Sequence, residues 1–230
     1  MRSILKAIEI AGNSLHILAY RVYIERIVNN NEQLFSSNFK NESISQIMAK
    51  APDWIQKARN KWKYTGKTRP DFAKEPGAGQ ESVWDYPRPP KIDPDSRTII
   101  VKHHDIVIAK TNNAIRILET ASPPTFYIPP SDLNLELFKK VGGSSMCEWK
   151  GAATYWDVVL SDKVFPKSAW SYEDPFEEYK TIKSYLSFYP AIFECFIDGE
   201  RVQPQPGGFY GGWITSEIVG PVKGEPGISG

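Results

Sequence analysis

Proline sets the strongest limit on what this chain can fold into, because each proline fixes φ, removes a backbone donor and so ends helices or confines strands to edges. All 18 prolines follow Met48, as do all seven tryptophans and every glycine except Gly12. The chain therefore changes character near residue 48. Before it, apolar side chains at Ile4, Ile8, Ala11, Leu15, Leu18 and Val22 recur near helical spacing, which predicts a helical N-terminal extension over residues 1–47. Glu9 and Asn13 interrupt its apolar stretch and no small-residue cleavage motif ends it, so it does not read as a signal peptide. The expectation is an extension outside the functional domain, with Met48 the more natural start.

Residues 48–80 carry eight Lys or Arg against three Asp or Glu, interleaved with Trp54, Trp62, Tyr64 and Phe72. Aromatics among cations suit an RNA strand, bound by stacking and phosphate contacts. Simple amphipathicity is the stronger reading. Pro52 and Asp53 fit the first turn of a helix, and Trp54, Ile55, Ala58 and Trp62 then share one face, predicting a basic helix docked through its tryptophans. Lys74 to Gln80 reads as a flexible connector.

From residue 81 to 230 the balance turns acidic, 15 basic against 20 acidic residues, and short apolar runs alternate with Pro, Gly, Asn and Asp clusters. That is strand patterning. A hairpin is expected around His103-His104-Asp105, another at Asp198-Gly199, and further strands at 125–128, 135–141, 154–160, 169–172 and 192–197. Helix is expected over Pro175–Phe188, where Phe176, Tyr179, Ile182, Leu186 and Tyr189 share a face, and more weakly over Trp213–Val219. The predicted class is mainly β: one compact barrel-like or tent-like domain over residues 81–230, with one or two short helices.

At 230 residues and 41% hydrophobic content the chain can bury one good core. A net charge of +1 and the lack of any apolar run near 18 residues give no reason to expect nucleic acid or a membrane as partner. Two cysteines at unrelated positions point to thiols in the cytoplasm. With three histidines and no Cys-x-x-Cys, a structural zinc is not expected; the plentiful Asp and Glu leave oxygen-ligated Mg²⁺ open, though no compact Asp-x-Asp occurs, and the sequence names no cofactor.

Three segments carry chemistry. Cys147-Glu148-Trp149-Lys150-Gly151 places a thiol, a carboxylate and an amine within one turn, which suits an anion site or a reactive cysteine beside a lysine; a structural turn with a buried Cys is the alternative. In Arg116-Ile117-Leu118-Glu119, the charged residues share a face if helical and point to opposite sides if extended, and Arg116 suits a carboxylate or phosphate fork and a structural ion pair at the core's edge equally well. Pro123-Pro124-Thr125-Phe126-Tyr127-Ile128-Pro129-Pro130 is a stiff extended segment, either a pocket wall or a ligand for a partner's groove, the latter only if Phe126 and Tyr127 are exposed. Gln203 to Trp213, with its paired glycines, reads as a tight structural loop packing Trp213, with a ligand loop as the alternative.

These motifs, with Trp84-Asp85-Tyr86-Pro87-Arg88-Pro89-Pro90, Ala169-Trp170-Ser171-Tyr172 and Phe188-Tyr189-Pro190, occur in an order that resembles the domain of unknown function 427 family, over about residues 82–215. The resemblance implies a compact β barrel or tent, akin to a superfamily whose better-known members bind zinc through paired Cys-x-x-Cys. Those pairs are missing here, so the metal site is not carried over. The family is also labelled nucleotidyltransferase-like. Gly143-Ser144 does precede Asp157, but Val158-Val159 stand where a second carboxylate for Mg²⁺ would be needed.

The functional expectation is a pocket for a small anionic or polar-aromatic ligand. Arg116 and Lys150 would hold the anionic group, Tyr127, Trp170 and Tyr172 the apolar part, with Cys147 and Glu119 as reactive groups if a reaction occurs. Whether the protein is an enzyme is left open by the sequence. A nucleotide-using transferase and a protein-interaction module, contacting partners through Trp84–Pro90 or the basic segment, are the alternatives.

Overall fold

The computed structural model describes residues 52–161 and 163–228. The expected extension over residues 1–47 lies outside them. The described chain is mainly β. One four-stranded antiparallel sheet runs Ser187–Phe188, Lys163–Ser171, Thr154–Leu160, Phe138–Val141, and a second runs Glu200–Arg201, Glu194–Ile197, Ile99–His103, Ile106–Thr111. A three-stranded sheet joins Lys91–Asp95, Ala114–Leu118 and Thr125–Tyr127. Among the described residues the sheets do not close into a barrel.

The main core gathers Ile99, Val101, Ile108, Phe126, Val158, Ala169, Phe188 and Trp213. A second cluster gathers Ile117, Tyr127, Trp149, Trp170, Tyr172 and Tyr179. Two strand segments feed both clusters, because successive side chains leave a strand on opposite faces. Phe126 joins the main core, its ring centroid 4.9 Å from that of Trp213, while Tyr127 joins the second cluster. Ala169 and Trp170 divide in the same way. Trp213 is fully buried and donates from Nε1 to Phe188 O at 3.2 Å. Burying its roughly 200 Å² at about 25 cal/mol per Å² contributes at most about 5 kcal/mol.

Both expected hairpins form. His104 (φ 52°) turns between Ile99–His103 and Ile106–Thr111, and Asp198 (φ 47°) with Gly199 (φ 85°) turns between Glu194–Ile197 and Glu200–Arg201. The expected helix over Pro175–Phe188 is instead a six-residue 3-10 segment, Glu177–Ile182, interrupted at Tyr179. Tertiary pairing overrides the helical spacing: Leu186 and Ile128 exchange backbone hydrogen bonds at 3.0 and 2.8 Å, which requires extended chain at Leu186. Trp213–Ile214 is likewise a strand, paired with Gln203–Pro204, rather than the start of a helix. Leu135–Leu137 is 3-10, and only Phe138–Val141 of that expected strand is extended.

The basic segment contains one α-helix, Asp53–Arg59. Ile55 is buried and Trp62 is partly buried against the second cluster, but Trp54 is 55% exposed and docks nothing. The helix ends before Trp62, so the two tryptophans do not share a helical face. Trp84 and Tyr86 are buried in a third cluster with Val83, Leu118 and Val222. They are core, not an exposed contact for a partner. Phe126 and Tyr127 are each 1% exposed, which removes the reading of their segment as a groove ligand. No helix among the described residues is long and apolar enough to cross a membrane.

Candidate functional site

The site is built around a tight hairpin. Met146–Cys147 pairs with Gly151–Ala152, and Glu148, Trp149 and Lys150 form the turn between them. Gly151 has φ +103°, a conformation L side chains rarely adopt, so glycine there permits the turn. The basic segment clamps the hairpin from outside. Arg59 donates from Nε to Glu148 O at 2.7 Å, and Trp62 donates from Nε1 to the Glu148 carboxylate at 2.8 Å.

Beside the hairpin lies a cavity of ≈ 230 Å³. Its aromatic wall comes from three places in the sequence. Tyr127 stands edge-on to Trp170 with centroids 6.5 Å apart, and Trp170 packs on Tyr189 at 4.4 Å. Tyr172 lies 6.3 Å from Tyr127. The Gln203–Trp213 loop completes the wall: a Cβ added to Gly211 would come within 2.1 Å of the Trp170 ring, so this backbone lies flat against the indole. A larger cleft of ≈ 480 Å³ has its described lining in the single strip Lys63–Phe72, and it brings no distant groups together.

Charge distinguishes the smaller cavity. Lys150 lines it and is only 8% exposed, yet among the described residues its side chain forms no ion pair or hydrogen bond; its Nζ lies 5.9 Å from the centroid of the Tyr172 ring. Burial acts against the ammonium, but Cys147, Tyr127 and Glu119 together outweigh it and hold the pKa above the usual lysine value. Lys223 also lines the cavity, its Nζ 4.5 Å from the Trp62 ring centroid and 5.5 Å from that of Tyr210. Burial, aided by Arg88, pushes its pKa below the ordinary lysine value despite Glu119.

The lining carboxylates are engaged already. Glu119 accepts from Arg88 Nε at 3.2 Å, and Arg88, whose guanidinium lies 3.8 Å from the Trp62 centroid, also donates to Tyr64 O and Thr120 O. Glu148 is taken by Trp62. Burial raises Tyr127 and Tyr172 above the usual phenol range, so both stay protonated at neutral pH. The uncommitted charges are the two amines.

Of the seven residues expected at one site, six line this cavity: Glu119, Tyr127, Cys147, Lys150, Trp170 and Tyr172. Arg116 is placed elsewhere. It stands directly across from Phe126 in the ladder, whereas Ile117 and Thr125, and Ile115 and Tyr127, form the neighbouring pairs. Pairs in register share a face and adjacent pairs alternate. Arg116 therefore points away from the cavity and is held by Asp93 at 2.8 Å and Glu81 at 2.9 Å. Its place as the second cation is filled by Lys223, a residue nothing in the sequence singled out. Trp62, expected on a helix docked on the body, and Gln205, in a segment that reads as a structural loop, line the cavity as well. Asp157, the carboxylate after Gly143-Ser144, accepts from Lys167 N at 2.8 Å and does not line it. Among the described residues no group of three or more His, Cys, Asp or Glu is placed to hold a metal ion.

Residues 91–202 match the model of a domain of unknown function, DUF427. This part of the chain belongs to the DUF427 family. No curated protein is similar enough to the chain to match it. The DUF427 match contains the hairpin and the Tyr127, Trp170, Tyr172 and Tyr189 wall, but Trp62, Gln205, Tyr210 and Lys223 lie outside it. Flanking chain on both sides of the DUF427 match thus closes the cavity and supplies one of its two amines.

Proposed function

We propose that the cavity binds a small carboxylate or similar anion with a flat, unsaturated or aromatic body. The observation that carries this reading is the Lys150 side chain: 8% exposed, lining the cavity and without an ion pair or hydrogen bond among the described residues. An ammonium with no ion pair or hydrogen bond of its own has donors free for a bound anion, and a charge-assisted hydrogen bond is among the stronger contacts a ligand can make. Lys223, which lines the same cavity, supplies a second amine for the anion, and the aromatic wall receives the body of the ligand. At ≈ 230 Å³ the cavity is smaller than the roughly 300–1,000 Å³ typical of drug-sized ligand sites, so it suits a compound much smaller than a nucleoside triphosphate.

Thermal shift with 3-phenylpropionate, its neutral amide, and ATP with Mg²⁺ tests this reading. The carboxylate should raise Tm in wild type and not in Lys150→Met, and the amide and ATP should do neither. Saturating ligand at about 100 times Kd corresponds to about 2.7 kcal/mol of added stability. Equal shifts from acid and amide, or a shift from ATP alone, would overturn it. The nucleotide-using alternative predicts pyrophosphate release from ATP; the committed state of both lining carboxylates argues against it.

A further inference from the structure

The turn that presents Lys150 also presents Cys147 to the same cavity, and anion binding alone leaves that thiol without a role. Cys147 is a free, half-buried cysteine paired with Gly151 across the hairpin. Lys150, 8% exposed and without an ion partner among the described residues, faces the same space. Tyr172, kept protonated by burial, lines the same cavity as Cys147. The other thiol, Cys195, is 1% exposed within the main core. Only one cysteine is therefore open to a cavity reagent.

We propose that Cys147 adds to the conjugated double bond of a small α,β-unsaturated carbonyl compound bearing a negative charge, with Lys150 holding that charge. This rests on the anion-binding reading above. In the step, a bond forms between Sγ and the β-carbon as the C=C π bond breaks. The displaced electron pair passes through the α-carbon to the carbonyl oxygen, and the enolate is protonated at the α-carbon, so the thiol hydrogen and sulfur end up added across the double bond. Nothing leaves, and no oxidant or reductant is needed. The lining favours this class over acyl transfer. A conjugated system is flat and matches the wall of Tyr127, Trp170 and Tyr189, and addition needs the return of one proton, which the Tyr172 hydroxyl can relay. Acyl transfer needs a general acid at a leaving group, commonly histidine, and no described histidine lines the cavity.

Two maleimides that differ in charge test the inference: neutral N-ethylmaleimide and anionic 3-maleimidopropionate. Their rates of addition are followed by intact mass, with the site mapped by peptide digestion, in wild type, Lys150→Gln, Lys150→Arg and Cys147→Ser. N-acetylcysteine amide gives the intrinsic ratio of the two reagents. In wild type the anionic-to-neutral ratio at Cys147 should exceed that of the free thiol by about tenfold, the scale of local electrostatic recruitment. Lys150→Gln should bring the ratio back to the free-thiol value, Lys150→Arg should retain most of it, and native Cys147→Ser should take no label. A free-thiol ratio in wild type, or no labelling of Cys147, overturns the proposal. Thermal shift of Cys147→Ser with unreactive 3-phenylpropionate separates the two ideas. If that shift persists while the labelling preference fails, the thiol chemistry falls and anion binding stands; if the shift is also lost, the underlying reading falls with it.

Discussion

Arg116 and Phe126 stand directly opposite each other on neighbouring antiparallel strands, and that register decides which side of the sheet each serves. Phe126 enters the main core, and Arg116 emerges on the same face into the carboxylates of Glu81 and Asp93, with Asp95 at 3.9 Å. The residues one step along, Ile117 and Thr125, line the cavity on the other face. Arg116 is thus a structural cation.

Arg116→Leu should lower stability by about 2–4 kcal/mol, because several carboxylates lose their counter-ion while the ladder itself is retained. Affinity for 3-phenylpropionate should change less than about twofold, a surface-scale effect. Urea unfolding and ligand titration on the same sample check both. Loss of binding with unchanged stability would return Arg116 to the site.

The same network predicts an acid limit to stability. Burial by itself works to raise Asp93 and Asp95, but hydrogen bonds from Lys91 and Arg116 to the first, and from Arg97 to the second, outweigh it and hold both below the ordinary carboxylate range. A carboxyl with a folded-state pKa below its unfolded value stabilises fully above the ordinary range, and that contribution disappears as pH falls through the folded value. Urea midpoints should therefore be level from pH 7 to about 5 and fall steeply toward pH 3, with a shallower fall in Asp95→Asn. Parallel acid profiles for wild type and Asp95→Asn would contradict the assignment.

Lys150→Met should leave the ligand-free protein folded and cost no more than about 1–3 kcal/mol, because the amine gives up its attraction to Glu119 but no ion pair or hydrogen bond among the described residues. The same variant should lose the carboxylate-induced shift. Loss of the shift in a folded variant would mark Lys150 as the ligand's partner; an unchanged shift would place the anion elsewhere. Differential scanning calorimetry with and without ligand reads both quantities.

Gly211→Ala would drive a methyl group to 2.1 Å from the Trp170 ring. The ring or the loop must shift, at a cost of about 1–3 kcal/mol, and the wall facing the ligand shifts with it. The expected result is a change in intrinsic tryptophan fluorescence together with at least about tenfold weaker binding, on the scale of a misplaced wall. Wild-type affinity in this variant would place the ligand away from Trp170.

The strand pattern of residues 81–230, the two hairpins and the aromatic character of the site could be read from the sequence, because alternation and turn chemistry are local properties of the chain. Asp198-Gly199 needs nothing beyond its own backbone to turn. The helix expected at Pro175–Phe188 was not legible in this way: its apolar spacing fits a helix, but Ile128, far away in sequence, captures the Leu186 backbone as an extended partner.

For the site, residue chemistry within one turn drew attention to Cys147 and Lys150, and the motif order brought in Glu119, Tyr127, Trp170 and Tyr172. Strand geometry already said that Arg116 and Glu119 would face opposite ways if extended, but only the ladder showed which of them meets the cavity. Lys223 carries no local mark, and the pattern around Trp62 speaks of docking but not of a cavity, because their role depends on two flanking segments converging on the hairpin. Short-range periodicity determined which residues alternate; which faces then meet, and which amine is left without a counter-ion, was decided by packing between segments far apart in the chain.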